Sequence, residues 1–303
     1  MGGIKSIILA LLSIIVGFAI SFFTLNAYLK GNLKNEEPTA IKKEVKKPNK
    51  KVAKKQTEAP IEVEAPTTKK TDKAINIADI QESYNNWNTY HKNNIDLMST
   101  FIPVDNNEAI MDKRVFLVSL RTGAYVAVKS ENKKGETQYS LVNLKEDADE
   151  KIKKSIVSKA TIAYQYFKME GKKLPSYDFV DLKGKSHNKV DTEGKILVLK
   201  CWFITCKVCV EEFPQLNALV DKYKDDNIEF VSLAFDEKNE LIDFLKTKPF
   251  KYVTVPNQKK YMSKKLKVKQ YPTHLIVSED GVILKMVNNV KTLTSELKII
   301  IGK

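Results

Sequence analysis

Cys206 and Cys209 stand two residues apart and are the strongest indication of reactivity in this sequence. A pair at this spacing can close a short disulfide and open it again, which is thiol–disulfide exchange. The apolar run 195–201 before the pair predicts a buried strand. Apolar positions 213, 216, 219 and 220 after it predict an amphipathic helix, whose positive end favours a thiolate on the first cysteine. This pattern predicts a redox-active dithiol.

Two other roles fit a pair of cysteines at this spacing. A structural zinc site needs four ligands, but the remaining cysteine and the histidines offer no second close pair. These residues are Cys201, His91, His187 and His274. A buried structural disulfide is the other alternative. The sequence favours the redox dithiol over both, and it predicts neither a metal nor a cofactor.

The composition limits the class of partner. The 303 residues are enough for two domains, and 43% hydrophobic content is enough for a core. Much of the formal net charge of +14 lies in the stretch after residue 30. A nucleic-acid surface would interleave basic and aromatic residues on a folded domain, whereas here lysine recurs in low-complexity sequence. The composition therefore argues against a nucleic-acid partner.

The N-terminal segment, residues 1–30, predicts a signal-anchor transmembrane helix. Residues 7–29 carry no charge and would span roughly 35 Å as a helix, enough for a bilayer core. A cleaved signal peptide is the alternative, but the apolar run is long for one and no clean cleavage site follows. Residues 31–75 are rich in Lys, Glu, Pro, Ala and Thr. They predict a disordered linker, because so polar a segment cannot bury enough apolar surface to fold.

Residues 76–170 predict a small α+β region of unknown role. Helices are expected over 80–98 and 149–167. The β-branched run 114–120 and the runs 125–129 and 137–144 predict three strands. His91 lies on a helical face with Trp87, where both are interpreted as packing residues. No residue of this region indicates a chemistry.

Residues 171–303 predict an α/β domain with a mixed central sheet and helices on both faces. Strands are expected over 195–201, 227–235 and 252–256, and a hairpin over 270–286 turns at residues 279–281. Helices are expected from Cys206, over 239–246, over 259–266 and over 292–301. Pro214 should kink the helix that begins at Cys206.

The region from about 173 to 303 resembles the thioredoxin superfamily, and more closely the membrane-anchored TlpA/ResA-like thiol:disulfide oxidoreductases of the bacterial envelope. The resemblance rests on residues 202–214, WFITCKVCVEEFP, and on Tyr271-Pro272-Thr273. It implies a thioredoxin-like fold with Cys206 and Cys209 as a redox-active disulfide. It also implies that Pro272 is cis and faces the dithiol, and that Glu212 is an acidic residue that influences the thiols.

The same resemblance places four residues where a partner strand would dock: Trp202, Thr205, Tyr271 and Thr273. Two positions depart from the family pattern. Thr205 stands where thioredoxins usually carry Trp, and Lys200 stands where thioredoxin has a buried acid that transfers protons. Glu212 or water would have to replace that acid. Lys207, beside Cys206, should lower the thiol pKa, which stabilises the reduced form and makes the couple more oxidising.

The predicted function is disulfide exchange with envelope proteins, with Cys206 as the attacking thiolate and Cys209 as the resolving thiol. The family resemblance implies the reducing direction, with electrons supplied by a membrane donor. It implies a single-pass protein of the bacterial inner membrane, with its C-terminal domain facing the periplasm or the cell exterior. The alternative is a non-enzymatic scaffold that uses a thioredoxin-like platform for binding. A peroxidase is disfavoured, because Phe203 stands where peroxiredoxins carry a threonine.

Overall fold

The computed structural model describes residues 76–302. The predicted anchor, residues 1–30, and the predicted linker, residues 31–75, lie outside this range. Among the described helices, none combines the length and apolar character that crossing a bilayer requires.

Residues 76–170 form four helices around a three-stranded sheet. The helices are α1 (Ile77–Ile80), α2 (Tyr84–Asn94), α3 (Lys113–Arg121) and α4 (Glu150–Phe167), and the strands are β1 (Ile102–Val104), β2 (Tyr125–Glu131) and β3 (Thr137–Asn143). Strand β3 lies in the centre, parallel to β1 and antiparallel to β2. The long helix over 149–167 and the strands over 125–129 and 137–144 are confirmed. In place of the single helix expected over 80–98, the structure has the two shorter helices α1 and α2. Helix α2 begins separately because the Ser83 side chain caps it by accepting a hydrogen bond from the Asn86 N–H.

The prediction of a strand over 114–120 is wrong, because this segment is helix α3. The Asp112 carboxylate caps its start by accepting from the N–H groups of Arg114 and Val115. Phe116 and its neighbour Leu117 are fully buried, whereas Val115 is 52% exposed. Adjacent residues that both point inward follow a helical period, and this packing outweighs the β propensity of the run.

The C-terminal part contains seven strands, five α-helices and a π-helical turn. The strands are β4 (Asp178–Val180), β5 (Ser186–Asn188), β6 (Ile196–Trp202), β7 (Ile228–Ala234), β8 (Val253–Val255), β9 (Thr273–Val277) and β10 (Ile283–Val287). The helices are α5 (Lys189–Thr192), α6 (Lys207–Glu211), α7 (Phe213–Lys222), α8 (Lys238–Thr247) and α9 (Val290–Ile301), and the π turn is Tyr261–Lys265. The predicted core strands, hairpin and final helix are therefore confirmed.

The central sheet has five strands in the order β10-β9-β6-β7-β8. Strands β6, β7 and β8 run parallel, and β9 and β10 are antiparallel to their neighbours, so the sheet is mixed as predicted. Strands β4 and β5 pair separately. Because β6 is central, it is buried along nearly its whole length, which explains its continuous apolar run.

Helices cover both faces of the central sheet. Lys200 and His274 are paired across β6 and β9 and contact Glu212, at the junction of α6 and α7. The next pair along these strands points to the opposite face, where Thr273 contacts Tyr166 of α4. A helix from the middle region therefore covers one face of the C-terminal sheet. The predicted boundary near residue 170 follows this helix and stays a prediction.

Polar contacts fasten the loop after α2 to helix α9. Both carboxylate oxygens of Glu296 accept from Thr100, one from its N–H at 2.6 Å and one from its hydroxyl at 2.7 Å. Asp96 accepts from the Thr292 hydroxyl. Glu296 is only 2% exposed, so these hydrogen bonds are largely shielded from water.

Candidate functional site

Cys206 and Cys209 are joined by a disulfide at the carboxyl end of β6. Cys206 is partly exposed and occupies the position just before the first residue of α6, whereas Cys209 is fully buried one turn later. Cys209 packs with Trp202 and Phe213 in a small apolar cluster, and Cys206 lies at the edge of this cluster. An exposed sulfur with a buried partner is the arrangement that lets one cysteine meet a substrate and the other resolve the product.

The helix after the dithiol is interrupted near Pro214, where the sequence predicted a kink. Helix α6 ends at Glu211 and α7 begins at Phe213, which places Pro214 in the first turn of α7. A proline is tolerated there because its missing N–H would have no partner within the helix. The backbone of Glu212 remains helical across the junction, and its side chain points into the protein.

Three aromatic rings pack together next to the dithiol segment, where the Cys206 N–H donates to the Phe203 carbonyl at 3.1 Å. Phe203 stacks on Phe235 with ring centres 5.0 Å apart, and Tyr271 meets the two rings edge-on at 5.5 and 4.9 Å. All three side chains are partly exposed. The Tyr271–Pro272 peptide is cis, as the resemblance implied. We call Phe203, Phe235 and Tyr271 the aromatic patch.

The four residues predicted to bind substrate do not share one environment. Thr205 is exposed and Tyr271 is partly exposed, and both lie next to a predicted catalytic residue in the chain. Trp202 and Thr273 are fully buried. Trp202 packs under the dithiol, and the Thr273 hydroxyl is 2.8 Å from the Tyr166 hydroxyl. The side chains of Trp202 and Thr273 therefore lie beneath the surface that a partner would meet.

A buried network of charged groups lies below the dithiol helix. Glu212 Oε2 accepts from Lys200 Nζ at 2.7 Å and from His274 Nε2 at 3.1 Å, and Oε1 accepts from the Val290 N–H at 2.9 Å. Lys200 and His274 have no exposed surface, and Glu212 is 7% exposed. Because the Glu212 carboxylate can only accept, the His274 ring carries its proton on Nε2.

The ionisation of this network follows from its contacts. Burial by itself would raise the pKa of Glu212, but the hydrogen bond from His274 and the charge and hydrogen bond of the Lys200 ammonium lower it to about 2. Burial lowers the pKa of His274 to about 4, and the Lys200 charge acts in the same direction. Burial also lowers the pKa of Lys200, and the Glu212 carboxylate partly restores it. Lys200 and Glu212 form an ion pair, and His274 is neutral at pH 7.

His274 stands two residues after Pro272, where the sequence predicts a strand position that faces away from the cysteines; this prediction is wrong. His274 on β9 is paired with Lys200 on β6. Both side chains point toward the helix that carries the dithiol. The period of two along a strand fixes this orientation, but the register that aligns the two residues is a tertiary property.

The remaining cysteine and the lysine beside the dithiol lie in contrasting environments. Cys201 is fully buried on β6, and burial raises the pKa of its thiol well above the ordinary value. The Lys207 side chain is 86% exposed, and its Nζ lies 3.8 Å from Glu211 Oε1. Water and this carboxylate screen its charge, and its effect on the Cys206 thiol stays a prediction.

Sequence reasoning missed the role of three residues near the site. Asp236 holds the segment before the dithiol by accepting from the Ile204 N–H at 2.8 Å. Tyr166 contacts the segment that precedes Pro272. A signal for Tyr166 was present, since it stands three residues after Ala163 on the apolar face of α4. A lysine inside the apolar run of β6 was likewise a signal for the buried ion pair of Lys200.

The fold and the dithiol define a thioredoxin-like protein. The AhpC/TSA family matches residues 170–286. The ResA thiol-disulfide oxidoreductase of Bacillus thuringiensis subsp. konkukian is 31% identical over 127 residues, which cover 41% of this chain and 73% of the relative. The thioredoxin-like protein YneN of Bacillus subtilis is 30% identical over 118 residues, covering 38% of this chain and 68% of the relative.

The chain belongs to the ResA family of thiol-disulfide oxidoreductases. Among solved structures, a thiol-disulfide oxidoreductase from Bacteroides fragilis matches 43% of this chain and 99% of its own length, with 20% identity and a TM-score of 0.40. Because the chain belongs to the ResA family, the protein is an enzyme of thiol–disulfide chemistry, and the comparisons do not favour the scaffold alternative.

Proposed function

We propose that the protein reduces disulfides of partner proteins outside the cytoplasm through Cys206 and Cys209. The observation that carries this proposal is the pairing of a partly exposed Cys206 with a fully buried Cys209 beside an aromatic patch. A partner can reach only the first sulfur, and the apolar rings next to it offer a surface for the residues that flank the partner's cysteine.

The proposed reaction has two exchange steps. In the first, the Cys206 thiolate attacks one sulfur of the partner disulfide, the partner S–S bond breaks, and the second partner sulfur leaves as a thiolate that takes up a proton. In the second, Cys209 loses its proton and attacks Cys206, which releases the first partner sulfur as a thiol. The partner gains two electrons and two protons, and the Cys206–Cys209 disulfide remains.

We propose that Glu212 acts in this reaction as a fixed charge rather than as a proton acceptor. Its carboxylate already accepts three hydrogen bonds, and its lowered pKa makes it a poor acceptor for the Cys209 proton. We therefore assign it the role of a fixed negative charge, balanced by Lys200, and assign the Cys209 proton to water or to the leaving thiolate. Pro272 and Tyr271 are proposed to shape the surface where the partner strand docks.

The cellular setting is part of the proposal. The uncharged run over residues 7–29 would anchor the chain in the bacterial inner membrane, and residues 31–75 would hold the enzyme away from the membrane surface. Electrons would then reach the oxidised dithiol from a membrane donor, because a disulfide outside the cytoplasm is not re-reduced by cytoplasmic thiols. Labelling of Cys206 in intact cells by a membrane-impermeant thiol reagent tests this placement.

The reduction potential of the full chain tests the direction of exchange. Alkylation and mass spectrometry across a series of glutathione buffers give the potential of the Cys206–Cys209 couple. A value near or below roughly −220 mV supports a reductant, and a value above roughly −150 mV indicates an oxidant or isomerase instead. If no disulfide forms in any buffer, the proposed function is wrong.

Trapping experiments test the two cysteine roles. Cys209→Ser should accumulate mixed disulfides between Cys206 and partner proteins, because the resolving thiol is absent. Cys206→Ser should form none. Cys201→Ala is the matched control, since this thiol is buried on the opposite face of β6 and should leave exchange unchanged.

A further inference from the structure

Helix α4 contacts the segment of the site that carries Pro272, although it belongs to the region of unassigned role. The family match begins at residue 170, so the helix precedes it. Tyr166, near the end of α4, is fully buried and is the last residue of the face formed by Ile152, Ile156, Ala160 and Ala163. Its ring extends this apolar face to the C-terminal sheet, and its hydroxyl reaches residues 269–273.

The Tyr166 hydroxyl makes contacts that fix its orientation. It accepts from the backbone N–H of Lys269 at 3.2 Å and from that of Gln270 at 3.4 Å. Thr273 donates its own hydroxyl proton to the Gln270 carbonyl at 2.7 Å. The Tyr166 hydroxyl therefore donates to Thr273 Oγ1, at 2.8 Å, and every polar hydrogen of this group has an acceptor.

This arrangement persists over the pH range in which thiols react. Burial raises the pKa of the Tyr166 hydroxyl, and its hydrogen bonds with Thr273, Lys269 and Gln270 offset only part of that rise. The hydroxyl therefore keeps its proton near neutral pH and acts as donor and acceptor at once. Removing it would leave the backbone N–H groups of Lys269 and Gln270 without this acceptor in a partly buried environment.

We propose that Tyr166 is a positioning residue for disulfide exchange: it holds residues 269–273 so that Tyr271 and Pro272 present a fixed docking surface to the partner. The proposal rests on the proposed function. It gives the middle region a mechanical role, because Tyr166 lies on α4, before the family-matched residues 170–286. The partner is a protein or peptide disulfide, since a small reagent at Cys206 needs no docking surface.

Tyr166→Phe in the full chain tests the positioning directly. Amide hydrogen exchange of Lys269 and Gln270 should become about tenfold faster, the change expected for losing roughly 1.4 kcal/mol of protection. Exchange in β2 is the internal reference and should stay constant. Tyr164→Phe is the matched control, because the Tyr164 ring stacks with Arg121 and its hydroxyl contacts none of residues 269–273.

A kinetic pair of measurements tests the consequence for exchange. With insulin as the disulfide substrate, the second-order rate constant of Tyr166→Phe should fall about tenfold, because a displaced docking surface disfavours the attack geometry. Alkylation of Cys206 by iodoacetamide should change by less than about twofold. Tyr164→Phe should match the wild type in both assays.

Each outcome decides between the two proposals. Unchanged amide exchange at Lys269 and Gln270, or equal acceleration in β2, overturns the positioning role. A normal insulin rate in Tyr166→Phe, or an equal loss toward insulin and iodoacetamide, also overturns it. If the wild type fails to exchange disulfides with insulin, the proposed function falls, and amide exchange still decides whether Tyr166 holds the segment.

Discussion

His274→Gln should make the protein less sensitive to acid. In the folded protein His274 has no exposed surface, and burial followed by the Lys200 charge lowers its pKa from 6.5 to about 4. The unfolded chain therefore binds a proton at this residue at a higher pH than the folded chain does. By linkage, the stabilising contribution is fully present above pH 6.5 and is lost as the pH falls from about 6.5 to 4.

The magnitude follows from the difference in pKa. A fall of about 2.5, from 6.5 to about 4, at 1.36 kcal/mol per pH unit corresponds to about 3 kcal/mol of unfolding free energy. Glutamine cannot take up a proton, so the variant should lack this part of the pH dependence. The glutamine side-chain amide can still donate a hydrogen bond to Glu212. The Glu212–Lys200 ion pair therefore keeps this second donor.

Urea unfolding at several pH values between 4 and 7.5 measures this difference. The free energy of the wild type should fall more steeply with acid than that of His274→Gln, by about 3 kcal/mol over the full window. Burial also lowers the pKa of His91 to about 4, so His91 contributes a pH dependence to both proteins, and the variant lacks only the part that belongs to His274. NMR titration of the three histidines assigns each pKa directly. Equal slopes for the two proteins, or a His274 pKa near 6.5, would refute the reasoning.

Two further predictions concern the middle region and its attachment. Phe116→Ala should lower the unfolding free energy by about 3 to 5 kcal/mol, because the ring is fully buried, whereas Val118→Ala, at a position 41% exposed, should change it by less than about 0.5 kcal/mol. Similar losses in urea unfolding would argue against the helical assignment of this segment. Glu296→Gln should cost about 1 to 3 kcal/mol and speed amide exchange at Thr100, because the substituted amide replaces one acceptor oxygen by a donor. An unchanged exchange rate at Thr100 would contradict this attachment.

The sequence determined the class of protein and the position of its reactive pair. The apolar run of β6, the two cysteines and the helix after them lie next to one another in the chain. Local patterns of this kind fix local structure, because the strand period, the helix period and the effect of Pro214 need no distant partner. The break at Glu212 and the final hairpin were predicted for the same reason.

The tertiary structure alone decided which distant residues meet. Helix α3 was mistaken for a strand because β-branched residues are common to strands, and only packing against the core selects the helix. The partners of Glu212 come from β6, β9 and the start of α9, and strand register brings them together. Tyr166 meets residues 269–273 across a separation of about a hundred positions. Such contacts depend on the packing of whole elements, which no local pattern in the sequence encodes.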